Sequence, residues 1–289
     1  KKNINDIFLN DFVDYIKLKS YSFGNIKRII DTYKPDVIIY TLAVGSVRGI
    51  NYEMNEIRFI NTTLPLEILS YYDQNFSSQK PLFITFGSTG EYAGLPSNST
   101  INDNTEAMPL TDYQKTKWDF FKKAFEYSSK KNTINHYHLV LSSVYGGNEN
   151  KTRLIPKVYE SITYLKYLEV FDSSNQRDYI SVEDIFSLIY NLILDNKKIY
   201  DSKLLSTKRL ICSSGIRLSN RSIVFLISNI LEKEVKNINF KKDISKIDKG
   251  YSFQYQNKQF KKLLGKTPLN IKTLTNINNL IDVSIFKKS

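Results

Sequence analysis

The sequence predicts an α/β fold built on a doubly wound parallel sheet, with a smaller unit after residue 147. Three observations carry this. Val37-Ile38-Ile39-Tyr40 and Pro81-Leu82-Phe83-Ile84-Thr85-Phe86 are short continuous apolar runs, the pattern of strands buried on both faces. Segments of helical period alternate with them, as a parallel sheet with crossover helices requires. The character of the chain changes after Gly146-Gly147.

Taken in order, residues 24–33 place Ile26, Ile29 and Ile30 at helical spacing, and Lys34-Pro35-Asp36 ends that helix before the strand 37–40. Residues 61–72 are again helical. The strand 81–86 runs into Gly87-Ser88-Thr89-Gly90. Thr111 is the expected N-cap of a helix reaching about Ser128, and 137–141 form a third strand. Beyond 148 the expected helices are 157–167, 182–194 and 220–233, the last capped by Ser219 or Asn220. From Phe253 onward the chain is rich in Lys and Asn, with short helical pieces divided by Thr267-Pro268.

Composition narrows the function. The chain has 289 residues, 41% hydrophobic and 24% charged, which suits a buried core and excludes a disordered tail protein. No run approaches the roughly 18 apolar residues of a membrane helix. Residues 1–6 have no apolar run behind them, unlike a signal peptide. One cysteine, Cys212, excludes a disulfide framework, and two histidines leave little for a zinc site. The expectation is a cytoplasmic protein with no metal and no membrane partner. The net charge is +12, but lysines scatter rather than cluster and no nucleic-acid-binding motif is present, so nucleic acid is not the expected partner.

Tyr113 and Lys117 lie four apart on the helix expected from Thr111, hence on one face. An ammonium beside a phenol favours the phenolate, so Lys117 is expected to lower the Tyr113 pKa and make it a usable acid/base. The spacing alone is weak, because the chain holds 20 tyrosines and many lysines, and Tyr15/Lys19 and Tyr127/Lys131 repeat it. Context separates the three pairs. Ser88 ends a buried strand, where ligands of open α/β sheets bind, and its hydroxyl can share a substrate oxygen with Tyr113. Neither other pair has such a partner.

With these residues in view, residues 19–235 resemble the extended short-chain dehydrogenase/reductase family, the NAD-dependent epimerase/dehydratase group acting on nucleotide sugars. The resemblance rests on residues 34–43 as a strand with its small-residue loop, on Asn61, on Gly87-Ser88-Thr89-Gly90-Glu91-Tyr92-Ala93-Gly94, and on Glu106 with Pro109 followed by Tyr113 and Lys117. Val144-Tyr145-Gly146 and Arg177-Asp178-Tyr179-Ile180-Ser181-Val182-Glu183-Asp184 complete it. It implies a Rossmann-like cofactor domain at 1–147 and a mainly substrate-binding domain at 148–289, with about 176–196 returning to the first. It implies NAD or NADP as cofactor and a nucleotide-diphosphate sugar as partner, with a homodimer left open. Catalysis falls to Ser88, Tyr113 and Lys117. Cofactor contacts fall to Leu42, Ala43, Asn61, Tyr113 and Lys117, and substrate contacts to Ser88, Thr89, Ser143 and Arg177.

The departures are informative. No G-x-x-G-x-x-G turn follows an opening strand, so a first β-α-β unit is expected upstream of Lys1, and the chain as given is expected to bind dinucleotide poorly. Lys19 stands where the family often has an aspartate, Tyr40 replaces a usual histidine, and Val140 and Ser143 replace an arginine and an asparagine. Thr89 and Gly90 occupy positions that are acidic in the family's 4,6-dehydratases. The implied reaction is therefore of the 4-epimerase or 4-ketoreductase type. The alternative is a degenerate, non-catalytic relative that binds a nucleotide sugar or a partner protein. Other residues carry milder expectations: Arg48 in a loop that could reach substrate, Asp184 structural at a helix start, His136 and His138 as strand spacers, Cys212 as a small hydrophobe. Trp118, Phe121 and Phe125 form a stripe read as core, with a dimer face as the second reading.

Overall fold

The computed structural model describes residues 14–45, 51–76, 81–131, 135–172, 176–198, 207–242, 252–277 and 280–281. Its main sheet has four parallel strands in the order β1-β2-β4-β8: β1 (Val37–Tyr40), β2 (Leu82–Ser88), β4 (Asn135–Leu141) and β8 (Thr207–Cys212). Leu82, Phe83 and Ile84 are fully buried, as their continuous apolar run requires. Each such side chain contributes about 1.5–3 kcal/mol by leaving water.

Helices cover both faces. On one, Phe83 packs with side chains of α1 (Phe23–Tyr33), α3 (Leu64–Phe76) and α4 (Asp112–Lys131). On the other, Leu82, Ile84, Tyr137, Leu139 and Leu210 pack with α6 (Val182–Lys198) and α8 (Lys258–Leu264). The two-residue alternation along β2 and β4 sorts side chains between these layers. It sends Thr85, His136 and His138 to the α4 side.

The helical stretch before α3 is irregular for a visible reason. α2 (Met54–Arg58) passes into a π-turn at Phe59–Thr63, whose end is marked by the Leu64 N–H donating to the Phe59 carbonyl. Pro65 follows, and its ring would press on the Asn61 carbonyl in a regular helix while supplying no N–H to it. The wider turn accommodates both defects. α4 begins as expected at Thr111, whose hydroxyl accepts from the Gln114 N–H at 3.4 Å while the Gln114 side chain accepts from the amides of Leu110 and Thr111.

After β5 (Ser143–Tyr145) a second core forms around α5 (Leu154–Tyr164), β6 (Leu168–Asp172), α7 (Asn220–Leu231) and β10 (Ile238–Lys242), with β6 and β10 parallel. β7 (Arg177–Ser181) pairs with β5 and, antiparallel, with β9 (Arg217–Leu218), while β3 (Thr100–Ile101) and β11 (Gln254–Tyr255) form a further parallel pair. The sequence reading let 176–196 return to the first layer system; 207–212 returns as well, as β8. No internal pattern in Thr207-Lys208-Arg209-Leu210-Ile211-Cys212 announces a buried strand, because Thr207 and Arg209 face the α4 layer while Lys208 lies over the Tyr137 ring on the other face. Cys212 is buried.

Candidate functional site

All four strands of the main sheet point the same way, so their carboxyl ends form one rim. Thr41, Leu42 and Ala43 follow β1, Ser88 ends β2, Ser142 and Ser143 follow β4, and Ser213 and Ser214 follow β8. Ser143 and Tyr179 are register partners, and this brings the start of β7 to the same rim. Asp178 locks that junction. Its buried carboxylate accepts from the Ser142 hydroxyl at 2.8 Å, the Ser214 amide at 2.9 Å and the Gly215 amide at 2.7 Å. Arg177 therefore stands at the edge of the rim, half-buried. Asp184, expected to be structural, is fully buried, accepts from the Leu269 N–H at 2.7 Å and meets Lys266 at 3.2 Å. Arg48 lies outside the described residues.

Asn61 sits on the π-turn and is committed to backbone. Its side chain donates to the Val44 carbonyl at 2.9 Å and to the Thr116 hydroxyl at 3.1 Å, and accepts from the Val44 N–H at 3.1 Å. It ties the loop carrying Leu42 and Ala43 to α4. Ala43 itself is exposed at the rim.

Ser88 caps a 3-10 turn, Thr89–Tyr92. Its hydroxyl accepts from the Gly90 N–H at 3.1 Å, and its own N–H donates to Glu91 Oε1 at 2.8 Å. This reciprocal cap brings Glu91 inside, where it is wholly buried. Gly87 is required beside it: a Cβ there would stand 2.5 Å from His138 Nε2 and 2.6 Å from Glu91 Oε1. Tyr113 and Lys117 share one face of α4, the Lys117 Nζ lying 6.0 Å from the Tyr113 ring centre. Lys117 is buried, and burial lowers its pKa to about 8 against the opposing pull of Glu91.

The expected effect of Lys117 on Tyr113 needs correction. Burial is the largest influence on the phenol, the Glu91 charge adds to it, and together they push the Tyr113 pKa up to about 12. The lowering charge that acts on the phenol is that of Arg153, and desolvation of the phenolate outweighs it. Glu91 itself is raised to about 7 by burial, against the Ser88 N–H, Arg209 and Lys117.

Glu91 belongs to the strand-end motif, and no role for it is expected from the sequence. The available signal was the serine-x-x-glutamate spacing of a capping box. His136 and His138, expected to be strand spacers, do more. Both are fully buried and joined by Thr85, whose hydroxyl lies 2.8 Å from His136 Nε2 and 2.9 Å from His138 Nδ1. Of the aromatic stripe, Trp118 and Phe121 cover the guanidinium of Arg209 at 4.9 and 4.7 Å, and Phe125 is 52% exposed, so the stripe is not simply core. Two surface grooves, one along Thr62, Leu66, Lys123 and Tyr127 and one around Trp118, Lys208 and Arg209, include none of Ser88, Tyr113 and Lys117 in their walls. Among the described residues no helix is long and apolar enough to cross a membrane.

A doubly wound parallel sheet with helices on both faces and a serine, tyrosine and lysine presented from β2 and α4 is the Rossmann-type arrangement of extended short-chain dehydrogenase/reductases. The chain belongs to the NAD dependent epimerase/dehydratase family, whose model matches residues 6–202. Among solved structures it is similar to UDP-glucuronic acid 4-epimerase from Bacillus cereus in complex with NAD, at TM-score 0.76 and 16% identity over 99% of this chain and 84% of that one. It is also similar to dTDP-glucose 4,6-dehydratase from Bacillus anthracis in complex with NAD, at TM-score 0.73 and 16% identity over 96% and 81%. UDP-glucose 4-epimerase from Thermotoga maritima with UDP-glucose follows at TM-score 0.72 and 15% identity over 92% and 82%. No curated protein sequence matches the chain.

Proposed function

We propose that this protein is an NAD- or NADP-dependent enzyme that transfers hydride reversibly at a carbon of a nucleotide-diphosphate sugar, by 4-epimerase or 4-ketoreductase chemistry rather than 4,6-dehydration. The observation that carries the reading is the pairing of Tyr113 with a buried Lys117 on α4, next to the serine-capped turn at the end of β2. Tyr113 gives or takes the sugar hydroxyl proton. Ser88 orients the same oxygen, and its hydroxyl hydrogen is free for this because the Gly90 N–H uses only a lone pair. Lys117, charged below about pH 8, stabilises the phenolate as the proton leaves.

A bound nicotinamide would supply the redox chemistry, exchanging hydride with the sugar carbon. The residues fit its ribose end: a buried cation and a phenol on one helix face, beside a rim loop held open by Asn61. Leu42 and Ala43 would lie along the cofactor, and Ser143, Thr89 and Arg177 toward the sugar nucleotide, Arg177 through a guanidinium fork on the diphosphate. Residues 1–147 would then form the cofactor domain and 148–289 mainly the substrate domain, with 176–196 and β8 belonging to the first. Dehydration is disfavoured because it needs an acid at the rim after Ser88. Thr89 and Gly90 offer none, and the carboxyl of Glu91 is turned inward.

The test is turnover of a panel of uridine and thymidine diphosphate sugars with NAD(H) or NADP(H). Tyr113→Phe should lose about 10²–10⁴ in rate while keeping the wild-type circular dichroism. An equally active Phe variant removes Tyr113 from the mechanism. Consumption of reduced cofactor in proportion to product distinguishes a ketoreductase from an epimerase, and binding without turnover favours the non-catalytic reading.

A further inference from the structure

β8 is the last strand of the main sheet, and among the described residues no strand pairs with its outer side. A groove of about 760 Å³ wraps this free edge. That volume falls in the range of about 300–1,000 Å³ typical of small-molecule sites. One wall is α4, which presents Trp118, Phe121, Lys122 and Phe125 on one face. Tyr137 of β4 and Leu263 of α8 stand on the other side. The groove runs along residues 207–210, short of the rim at the carboxyl ends of the strands.

The walls supply a ring face and two cations without a counter-charge. Trp118 and Phe121 stack with ring centres 5.3 Å apart, Phe121 and Phe125 follow at 5.9 Å, and Phe125 is half exposed. Lys208 is half-buried, lies 5.0 Å from the Tyr137 ring centre and donates to the Tyr137 hydroxyl at 3.4 Å. Among the described residues no carboxylate stands within ion-pair distance of Lys208 or Lys122, whereas Lys123 and Lys130 of the same helix are paired with Asp119 and Glu126 at 2.8 Å. Burial disfavours the charged form of Lys208 and lowers its pKa. Arg209 and Asp103 are engaged elsewhere. Buried Arg209 donates to the carbonyls of Asp103 at 3.0 Å and Thr105 at 2.5 Å, and the Asp103 carboxylate accepts from the Ile211 N–H at 2.8 Å. Glu106, the remaining acid of the wall, is exposed. Thr207 and Ile211 direct their N–H groups outward, to Ser128 Oγ at 3.0 Å and to Asp103, so the Arg209 N–H between them faces outward too and adds a donor to the groove.

An exposed ring face beside ammonium groups with no counter-charge suits a ligand that has both an apolar plane and an anion. We propose that this groove is a second ligand site, which takes a planar aromatic ring carrying a carboxylate or a phosphate. The ring lies against Phe121 and Phe125, and the anion meets Lys208 and Lys122. Trp118 follows Lys117 directly on α4, so the site adjoins the catalytic helix without sharing Ser88, Tyr113 or Lys117. The inference goes beyond hydride transfer and stands or falls independently of it.

Trp118 is the sole tryptophan of the chain, so intrinsic fluorescence reads this groove. The full chain is titrated with 3-phenylpropionate and, separately, with uridine monophosphate. At least one should change the emission saturably, with a dissociation constant below about 1 mM. Lys208→Gln and Phe125→Ala should each weaken that binding by about tenfold or more, while Arg177→Ala, at the rim, should leave it in place. A response to phenylpropionate alone marks the ligand as an aryl carboxylate, one to the nucleotide alone as a nucleoside phosphate, and one to both upholds the shared chemistry. No saturable change, or dissociation constants above about 1 mM for both probes, overturns the proposal. So does binding that keeps its affinity in Lys208→Gln or is lost in Arg177→Ala, because the ligand is then held elsewhere. If Lys208→Gln does not fold by circular dichroism, Lys122→Gln removes the second ammonium from an exposed position and is read in the same way.

Discussion

Replacing Asn61 by Ala tests whether this side chain acts by holding the rim loop. The amide makes three hydrogen bonds, two to the Val44 backbone and one to the Thr116 hydroxyl. Thr116 loses little, because its hydroxyl still donates to the Tyr113 carbonyl at 2.9 Å. Val44 is half-buried, so water reaches its N–H and C=O in part. Each of these two groups then costs nearer 1 kcal/mol than the full penalty of about 1–3 for a buried orphan. The void left by a side chain that is 1% exposed adds to this. The sum is about 2–4 kcal/mol, a large share of the roughly 5–15 kcal/mol that separates folded from unfolded chains. Urea unfolding followed by circular dichroism should show that loss at unchanged slope. Affinity for NAD(P)H should fall with it, since the loop bearing Leu42 and Ala43 is released. A variant within about 0.5 kcal/mol of wild type, the range of an ordinary surface substitution, would show that the amide does not secure the loop.

Three further outcomes follow from the same geometry. Thr85→Val keeps the shape of a buried β2 residue but orphans His136 Nε2 and His138 Nδ1, so stability should drop by about 2–4 kcal/mol in urea melts, whereas Thr85→Ser should recover most of it; equal stability of the Val variant would contradict the hydrogen-bond chain. Arg177→Ala should weaken binding of uridine or thymidine diphosphate by about 1.5–3 kcal/mol for each charge-assisted bond lost, with the fold intact; calorimetry giving wild-type affinity would put the anchor elsewhere. Lys117 is charged below its lowered pKa of about 8 and neutral above it, so kcat/KM should fall as pH rises through that value; a flat alkaline limb would mean that the ammonium takes no part.

The local patterns were legible in the sequence. Continuous apolar runs placed β1 and β2, the stretch 137–141 placed β4, and Thr111 placed the start of α4, because burial on both faces and an orphaned first turn leave marks within a few residues. The order of motifs brought Ser88, Tyr113, Lys117 and Arg177 into one reading because each sits in a short segment that resembles the family's pattern, at a strand end, within one helical turn or at a strand start. What tertiary structure decided was everything that depends on neighbours distant in the chain. The membership of β8 in the main sheet rests on its pairing with β4, not on its own mixed composition. The role of Asn61 as a clasp for Val44 depends on a π-turn meeting a loop 17 residues earlier. The upward shift of Tyr113 reverses the expectation from its spacing to Lys117, because ionisation answers to the whole surroundings, and here burial with an inward-turned Glu91 outweighs the pull of Arg153. Spacing along a helix determines which side chains share a face; the packing over that face determines which of their charge states is stable.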